Sequence, residues 1–107
     1  MSVLTSMERE IIGLIAGQHW PGYRLDQLEV TGREHTGVGR YTHIIDRAGQ
    51  PIPDGTYGAD GHFVEMEGIP NGLFFAAEVE GSRLVYLEIV TAGADSWDGV
   101  ERPWKVA

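Results

Sequence analysis

A two-residue break between two alternating segments most constrains the fold of this chain. Residues 73–80 and 83–91 are rich in β-branched and aromatic side chains, and only Gly81-Ser82 separates them. Such a short connection joins antiparallel neighbours, because a parallel pair needs a crossover of a dozen or more residues. The pattern therefore predicts a β-hairpin in which Glu80 lies opposite Arg83.

The register of this hairpin decides which side chains share a face. Unbroken pairing from Glu80 and Arg83 places Leu87 and Ile89 beside Phe74, and it makes Glu88 face Phe75. Both faces are then apolar, so we expect a covering layer on each side of these strands. A carboxylate in such a row needs water or a cation. Glu88 therefore marks the edge of a candidate pocket, or it reaches water or an arginine, for which Arg33 and Arg40 are the candidates.

A second hairpin is predicted around Gly37-Val38. With this pair at the tip, residue 35 faces 40, 34 faces 41, 32 faces 43 and 30 faces 45. One face then holds Leu28, Val30, Gly32, Glu34, Tyr41, His43 and Ile45. A carboxylate beside an imidazole can tune the ring as a base, so Glu34, Tyr41, His43 and Glu88 form a candidate pocket. A polar cluster that fixes the hairpin register is the simpler interpretation.

The remaining pattern predicts one helix ahead of the strands. Thr5 and Glu8 have capping-box spacing, apolar residues recur at helical intervals from Leu4 to Ile15, and Gly17 is a natural stop. Fifteen glycines, about twice the usual share, indicate many turns. We predict a single α+β domain over residues 1–107, with an N-terminal helix packed on a mainly antiparallel sheet of four to six strands.

Composition excludes several classes of protein. The chain has no cysteine, which excludes disulfides, thiolate zinc sites and cysteine nucleophiles. Its four histidines fall at no recognised ligand spacing, so we predict neither a metal nor a cofactor. The longest apolar run, residues 11–16, is far too short to span a bilayer, and no leader pattern opens the chain. We expect a cytoplasmic protein that does not bind membranes.

Charge disfavours nucleic acid as a partner. The net charge is −8, and it is uneven: residues 1–47 hold six acids and five bases, whereas residues 48–107 hold ten acids and three bases. The acidic part would repel a phosphate backbone. This acidity either serves solubility or forms a face that docks a basic protein.

The tail, residues 93–107, combines tryptophans with acids. Aromatic anchors within a polar rim are typical of protein interfaces, and the arginines of the second hairpin could extend such a surface. The candidate interface comprises Arg33, Arg40, Asp95, Trp97, Asp98, Glu101 and Trp104. Alternatively, both indoles cap the core.

Residues 33–42, Arg-Glu-His-Thr-Gly-Val-Gly-Arg-Tyr-Thr, precede a later Leu-Glu-Ile-Val-Thr strand at 87–91 and Trp97. Together they resemble a family of small uncharacterised bacterial proteins with an Arg-x-x-Thr-Gly-Val-Gly-aromatic-Thr hairpin. Arg40 stands here where those proteins have an aromatic residue. The resemblance implies a compact fold and transfers no activity.

The sequence supports three hypotheses of function. It favours a small, acidic, non-enzymatic protein-binding domain of the inhibitor or immunity type, because it shows no catalytic set. The second hypothesis is a small enzyme or ligand-binding protein that uses Glu34, Tyr41, His43 and Glu88 in a pocket. The third is a structural subunit that forms a homodimer through an unpaired strand edge.

Overall fold

One helix, α1 (Ser6–His19), precedes all the strands in the computed structural model, which describes residues 2–107. Its capping box is confirmed: the Thr5 hydroxyl accepts from the Glu8 amide at 3.1 Å, and the Glu8 carboxylate accepts from the Thr5 amide at 2.9 Å. The helix runs through Gly17 and ends at His19, two residues beyond the predicted stop. Pro21 explains this end, because its ring and missing N–H cannot continue a helix.

The strands form one antiparallel sheet, which confirms the predicted α+β class. The sheet order is β1-β2-β6-β5-β4-β7, and β3 pairs with the far end of β5. Three of the seven strands within residues 2–107 have only three residues each. In chain order they are β1 (Leu28–His35), β2 (Gly39–Asp46), β3 (Gly55–Tyr57), β4 (Val64–Met66), β5 (Ile69–Glu80), β6 (Arg83–Thr91) and β7 (Trp104–Val106).

The β1–β2 hairpin turns at Gly37-Val38 as predicted. The Thr36 amide donates to the Gly39 carbonyl at 3.0 Å, and Gly37 has a φ of 89°, which favours glycine at the first central position of such a turn. Pairing follows the prediction down to residues 32 and 43. Beyond that point Thr31 is an extra residue, so Val30 pairs with residue 44 instead of 45.

This bulge corrects the predicted composition of the face. An extra residue in one strand reverses the alternation of all side chains beyond it. Leu28 and Val30 therefore turn towards the helix side and are buried, whereas Glu34, Tyr41 and His43 stay on the other face.

The β5–β6 hairpin also contains a β-bulge. Glu80 lies opposite Arg83 as predicted, but Val85 is an extra residue, and pairing continues with Glu78 opposite Tyr86. Leu87 and Ile89 consequently lie on the face of Leu73, Phe75 and Ala77, not beside Phe74. The prediction of two apolar, covered faces is therefore wrong. One face of the sheet is covered, and the other alternates apolar and polar side chains that reach solvent.

The core lies between α1 and the covered face of the sheet. Met7, Ile11 and Ile15 from the helix have no exposed surface, and neither do Leu87 and Ile89 from β6. Burying side chains of this size contributes roughly 1.5–3 kcal/mol each. The helix is thereby fixed on one side of the sheet, which leaves the opposite side free for function.

Two glycines give opposite predictions for stability. A Cβ at Gly39 would lie 2.7 Å from the Ile89 carbonyl oxygen and 3.2 Å from the Val90 Cα, whereas a Cβ at Gly17 would meet nothing within 4 Å. We expect Gly39→Ala to cost about 1–3 kcal/mol through overpacking against backbone. Gly17→Ala should stabilise the exposed helix position by about 0.5–1 kcal/mol. Urea unfolding of both variants checks this; equal effects would contradict the close approach of β2 and β6.

Candidate functional site

The face of the sheet opposite α1 is uncovered, and we call it the open face. Neighbouring strands contribute its side chains at matched register positions. Each of its residues is half-buried or exposed, and Phe74 and Ile45 are 55% and 40% exposed. The open face consists of Gly32, Glu34, Tyr41, His43, Ile45, Phe74, Ala76, Glu78, Tyr86, Glu88 and Val90.

Aromatic rings occupy the centre of the open face. Tyr41 and Tyr86 meet edge to face, with ring centroids 5.3 Å apart and an interplanar angle of 80°, and His43 lies 6.2 Å from Tyr86. Edge-to-face pairs of this kind stabilise the arrangement by about 0.5–1.5 kcal/mol beyond area burial. The rings therefore form a preorganised surface.

The residues of the predicted pocket lie together on this face. Tyr41 pairs across β1 with Glu34 and across β6 with Glu88, and His43 Nε2 lies 2.5 Å from Glu34 Oε1. Glu34, Tyr41 and His43 keep the predicted register because they lie between the Gly37-Val38 turn and the Thr31 bulge. Glu88 joins them because β6 pairs with β2, which places it opposite Tyr41. The cavities of about 790 Å³ and 350 Å³ lie elsewhere in the molecule.

Three carboxylates, those of Glu34, Glu78 and Glu88, surround the rings. Glu34 pairs with His43, and Glu78 accepts from the Thr56 hydroxyl at 2.5 Å. Within residues 2–107, neither Glu78 nor Glu88 forms an ion pair with lysine or arginine. The open face therefore has an excess of negative charge.

The pKa values of the two phenols reflect this negative charge. The Glu88 carboxylate beside the Tyr41 hydroxyl raises the pKa of that phenol. Partial burial, and then the charges of Glu78 and Glu88, raise the pKa of Tyr86. Both shifts have the same sign, because an ionised phenol would add a further negative charge to an acidic surface.

A second cluster lies beneath the sheet and centres on Glu8, which has no exposed surface. Arg33 binds it with two bonds of 2.7 and 3.0 Å, Arg40 Nη2 lies 2.7 Å from Oε2, and the Thr42 hydroxyl donates at 2.6 Å. Burial alone would raise the pKa of this carboxyl. Hydrogen bonds from Arg33, Thr42 and the Thr5 amide, with the charge of Arg40, outweigh burial and lower the pKa to about 2.

Arg40 connects this cluster to the tail. It is 4% exposed, and its guanidinium donates to the Gly99 carbonyl at 2.9 Å and to Glu101 at 2.8 Å. It also lies over the Trp97 ring at 5.4 Å. Glu101 in turn accepts from the Thr5 hydroxyl at 2.8 Å. One buried network thus joins the start of the helix, the first hairpin and the tail.

This network corrects the predicted interface. Arg40 and Trp97 are buried, with Trp97 only 2% exposed, so neither can anchor a partner. Arg33 is half-buried against Glu8, and Glu101 is bound to Arg40. The physical reason is alternation: Arg33 and Arg40 flank Glu34 and Tyr41 in sequence and therefore point to the opposite, covered side.

The other predicted interface residues have local partners. Asp98 is paired with Arg102 at 2.8 Å, and this bonded guanidinium lowers the pKa of Asp98 below its usual range. Asp95 accepts from the Asn71 side chain at 3.1 Å, and Trp104 is half-buried in β7 against the core. The tail is therefore fastened to the fold, and its acids are less free to bind a partner than those of the open face.

Sequence reasoning did not assign Phe74, Glu78 and Tyr86 to the same surface as Tyr41. Only the alternation of exposed and buried residues along β5 pointed to this surface. The bulge at Val85 made the register between β5 and β6 unpredictable. Glu8 was also missed as a buried charge, because its capping role fully explained its place in the sequence.

Within residues 2–107, no three His, Cys, Asp or Glu side chains converge as a metal site would require. The helix in this described part is neither long nor apolar enough to cross a membrane. Searches of family models, curated proteins and solved structures found no match to this chain. The resemblance of the first hairpin to small bacterial proteins stays a prediction.

Proposed function

We propose that this protein is a non-enzymatic binding module that docks a basic protein through the open face. One observation supports this most directly: an aromatic centre is bordered by Glu78 and Glu88, which form no ion pair with lysine or arginine within residues 2–107. Protein interfaces combine such anchors with a polar rim. Unpaired rim charges also steer an oppositely charged partner towards the correct patch.

The same charges disfavour a second copy of this chain as the occupant. Face-to-face pairing of two open faces would bring Glu78 and Glu88 of each copy together, and like charges across an interface cost several kcal/mol. A partner that presents arginine or lysine instead neutralises these carboxylates. Arginine would also stack on the Tyr41 and Tyr86 rings.

The aromatic and apolar groups should contribute most of the affinity. Phe74 is the most exposed large apolar side chain of the open face, and its neighbours are held in place by strand pairing. Truncation of a central aromatic anchor typically weakens binding by about 2 kcal/mol or more. The carboxylates of the open face should mainly affect the association rate and its dependence on salt.

We expect charge reversal on the open face to abolish capture of the partner. The variant Glu78→Lys with Glu88→Lys should weaken binding on the order of 100-fold, because two attractive contacts become repulsive. The measurement is affinity capture from the native cell, followed by titration of the purified partner. The partner should be basic, and its binding should weaken as salt rises.

A control with the same total charge separates local from global effects. Glu10→Lys with Asp60→Lys changes two exposed acids, one on the outer side of α1 and the other in a loop whose backbone is bonded to Gln18 of that helix. This variant should keep at least most of the affinity. A partner that binds both double variants equally, or a captured protein that is itself acidic, would contradict the proposal.

A further inference from the structure

The outer edge of β1 is open where it borders the open face. β1 ends the strand order of the sheet, and within residues 2–107 only Ser2 pairs with its outer side, at Val30. Beyond that bridge, every residue from 31 to 36 is exposed except Arg33, which is half-buried. An edge of this kind offers its backbone groups to a further strand.

The pairing pattern shows which backbone groups of this edge are free. The Thr36 amide donates to the Gly39 carbonyl at 3.0 Å, so the ladder bonds between β1 and β2 fall at residues 36, 34 and 32. Successive residues of a strand direct their N–H and C=O groups to opposite sides. The backbone groups of Arg33 and His35 therefore point away from β2, where an added antiparallel strand would need them.

The far end of the sheet, in contrast, is protected against strand addition. β7 has three residues, Pro103 precedes it, and Lys105 is exposed at its centre. Proteins commonly use proline and lysine to block pairing at an edge. Residues 31–36 contain neither, and their arginine, Arg33, is bound beneath the sheet. The Thr31 bulge disturbs only the start of this segment.

Glu34 determines the charge of the strand that this edge can accept. It lies between the two free positions, where side chains of neighbouring strands approach each other most closely. Its side chain is 70% exposed and belongs to the open face. On the same side, a Cβ at Gly32 would meet nothing within 4 Å, which leaves room for a long neighbouring side chain. A lysine or arginine opposite Glu34 would gain a cross-strand ion pair.

The same residue disfavours a second copy of the chain at this edge. Two antiparallel copies would use all their free backbone groups only in the register that pairs Arg33 of one copy with His35 of the other. That register places Glu34 directly opposite Glu34, and like charges in this position destabilise strand pairing. A basic segment of a different protein satisfies both the backbone and the charge.

We propose that the basic partner adds an extended segment to the outer edge of β1 as a further antiparallel strand. In this segment lysine or arginine alternates with neutral residues, and the cations lie on the side of the open face, beside Glu34. The added strand would widen the open face by one strand. This inference rests on the proposed function and specifies how the partner binds.

A synthetic peptide with this pattern tests the inference. The probe is the acetylated and amidated heptapeptide Thr-Lys-Val-Arg-Val-Lys-Thr, added to the ¹⁵N-labelled protein. It should shift the amide resonances of Arg33 and His35 in a saturable way and slow their hydrogen exchange. N-methylation of its two valines removes the donors that face β1 and keeps the charge, so it should weaken binding by about 10-fold or more. Glutamate in place of its three cations should abolish binding.

Two variants of one residue supply the matched control. His35→Pro removes the outward N–H and places a ring on the edge, a position at which a strand tolerates proline. His35→Ala removes the same side chain and keeps the N–H. We expect the proline variant to bind the peptide about 10-fold or more weakly than the alanine variant. If His35→Pro does not fold, the peptide and its N-methylated form decide the question on the natural protein.

Several results would overturn the inference. These are no saturable shift with the basic peptide, equal affinity for the peptide and its N-methylated form, and equal binding by the two His35 variants. Dimerisation of the natural protein that His35→Pro abolishes would instead assign the edge to a second copy.

Capture of the partner separates this inference from the function on which it rests. If Glu78→Lys with Glu88→Lys leaves capture unchanged, the proposed function fails. If that double variant loses the partner while His35→Pro captures as much of it as His35→Ala does, the proposed function stands and strand addition is overturned.

Discussion

Glu8→Gln is expected to lower the free energy of unfolding by about 3–5 kcal/mol, the usual effect of removing one member of a buried ion pair. The Glu8 carboxylate accepts bonds from Arg33, Arg40 and Thr42, and it has no contact with solvent. A neutral amide would leave Arg40 buried beside a group that cannot balance its charge. It would also offer an N–H where the hydroxyl or the arginines need an acceptor.

Glu10→Gln is the matched control for this prediction. Glu10 lies in the same helix, two residues later, and it is exposed. Its neutralisation should change stability by no more than about 0.5 kcal/mol. Urea unfolding of both variants, followed by far-ultraviolet circular dichroism, gives the two values. Similar losses from both substitutions would show that helix charge, and not the buried cluster, governs the effect.

The second large effect is a loss of folding stability at low pH. The pKa of Glu8 falls from its ordinary value of 4.5 to about 2 in the folded protein. A carboxyl with a lowered folded pKa adds stability that is complete above the unfolded value and is lost as the pH falls towards the folded value. We therefore expect Glu8 to contribute about 3 kcal/mol above pH 4.5, and most of this should be gone by pH 2.

Comparison of the natural protein with Glu8→Gln isolates this contribution. The free energy of unfolding of both proteins should be measured in urea between about pH 6 and pH 2. The difference between them should shrink as the pH falls from 4.5 to 2, because protonation removes the same charge in the natural protein. Parallel curves over that interval would contradict the lowered pKa. Asp98 should add little to the pH dependence of either protein, because its pair with Arg102 is exposed to screening water.

Local chemistry explains why parts of the fold were predictable. The capping box of Thr5 and Glu8 specifies a helix start through contacts three residues apart. The two-residue turns at Gly37-Val38 and Gly81-Ser82 likewise specify hairpins through their own backbone preferences. In each case the determining interactions lie within a few positions of one another.

The bulges were not predictable by the same reasoning. Thr31 and Val85 are ordinary strand residues, and nothing in their immediate neighbours marks them as extra. Each bulge is selected by tertiary packing. The register shift that it causes buries Leu28 and Val30 in the first hairpin, and Leu87 and Ile89 in the second. The open face is therefore a consequence of tertiary packing that overrides simple alternation.

The candidate site was likewise predictable only in part. Glu34, Tyr41 and His43 could be grouped in advance because the first hairpin keeps the expected alternation between its turn and Thr31. Glu88 joins them through the pairing of β6 with β2, which the sequence did not predict. The burial of Arg40 and Trp97 could not be foreseen. It depends on Glu8 and Glu101, which lie 32 and 61 positions from Arg40 in the sequence.

The buried network also has a temporal consequence. Arg40 needs both Glu8, 32 positions before it, and Glu101, 61 positions after it. During synthesis the first hairpin and the helix can meet, yet the guanidinium lacks its last carboxylate until residue 101 has left the ribosome. Closure of this network is thus tied to the synthesis of Glu101, and a nascent chain that stops before residue 101 should leave Arg40 without one of its two carboxylates.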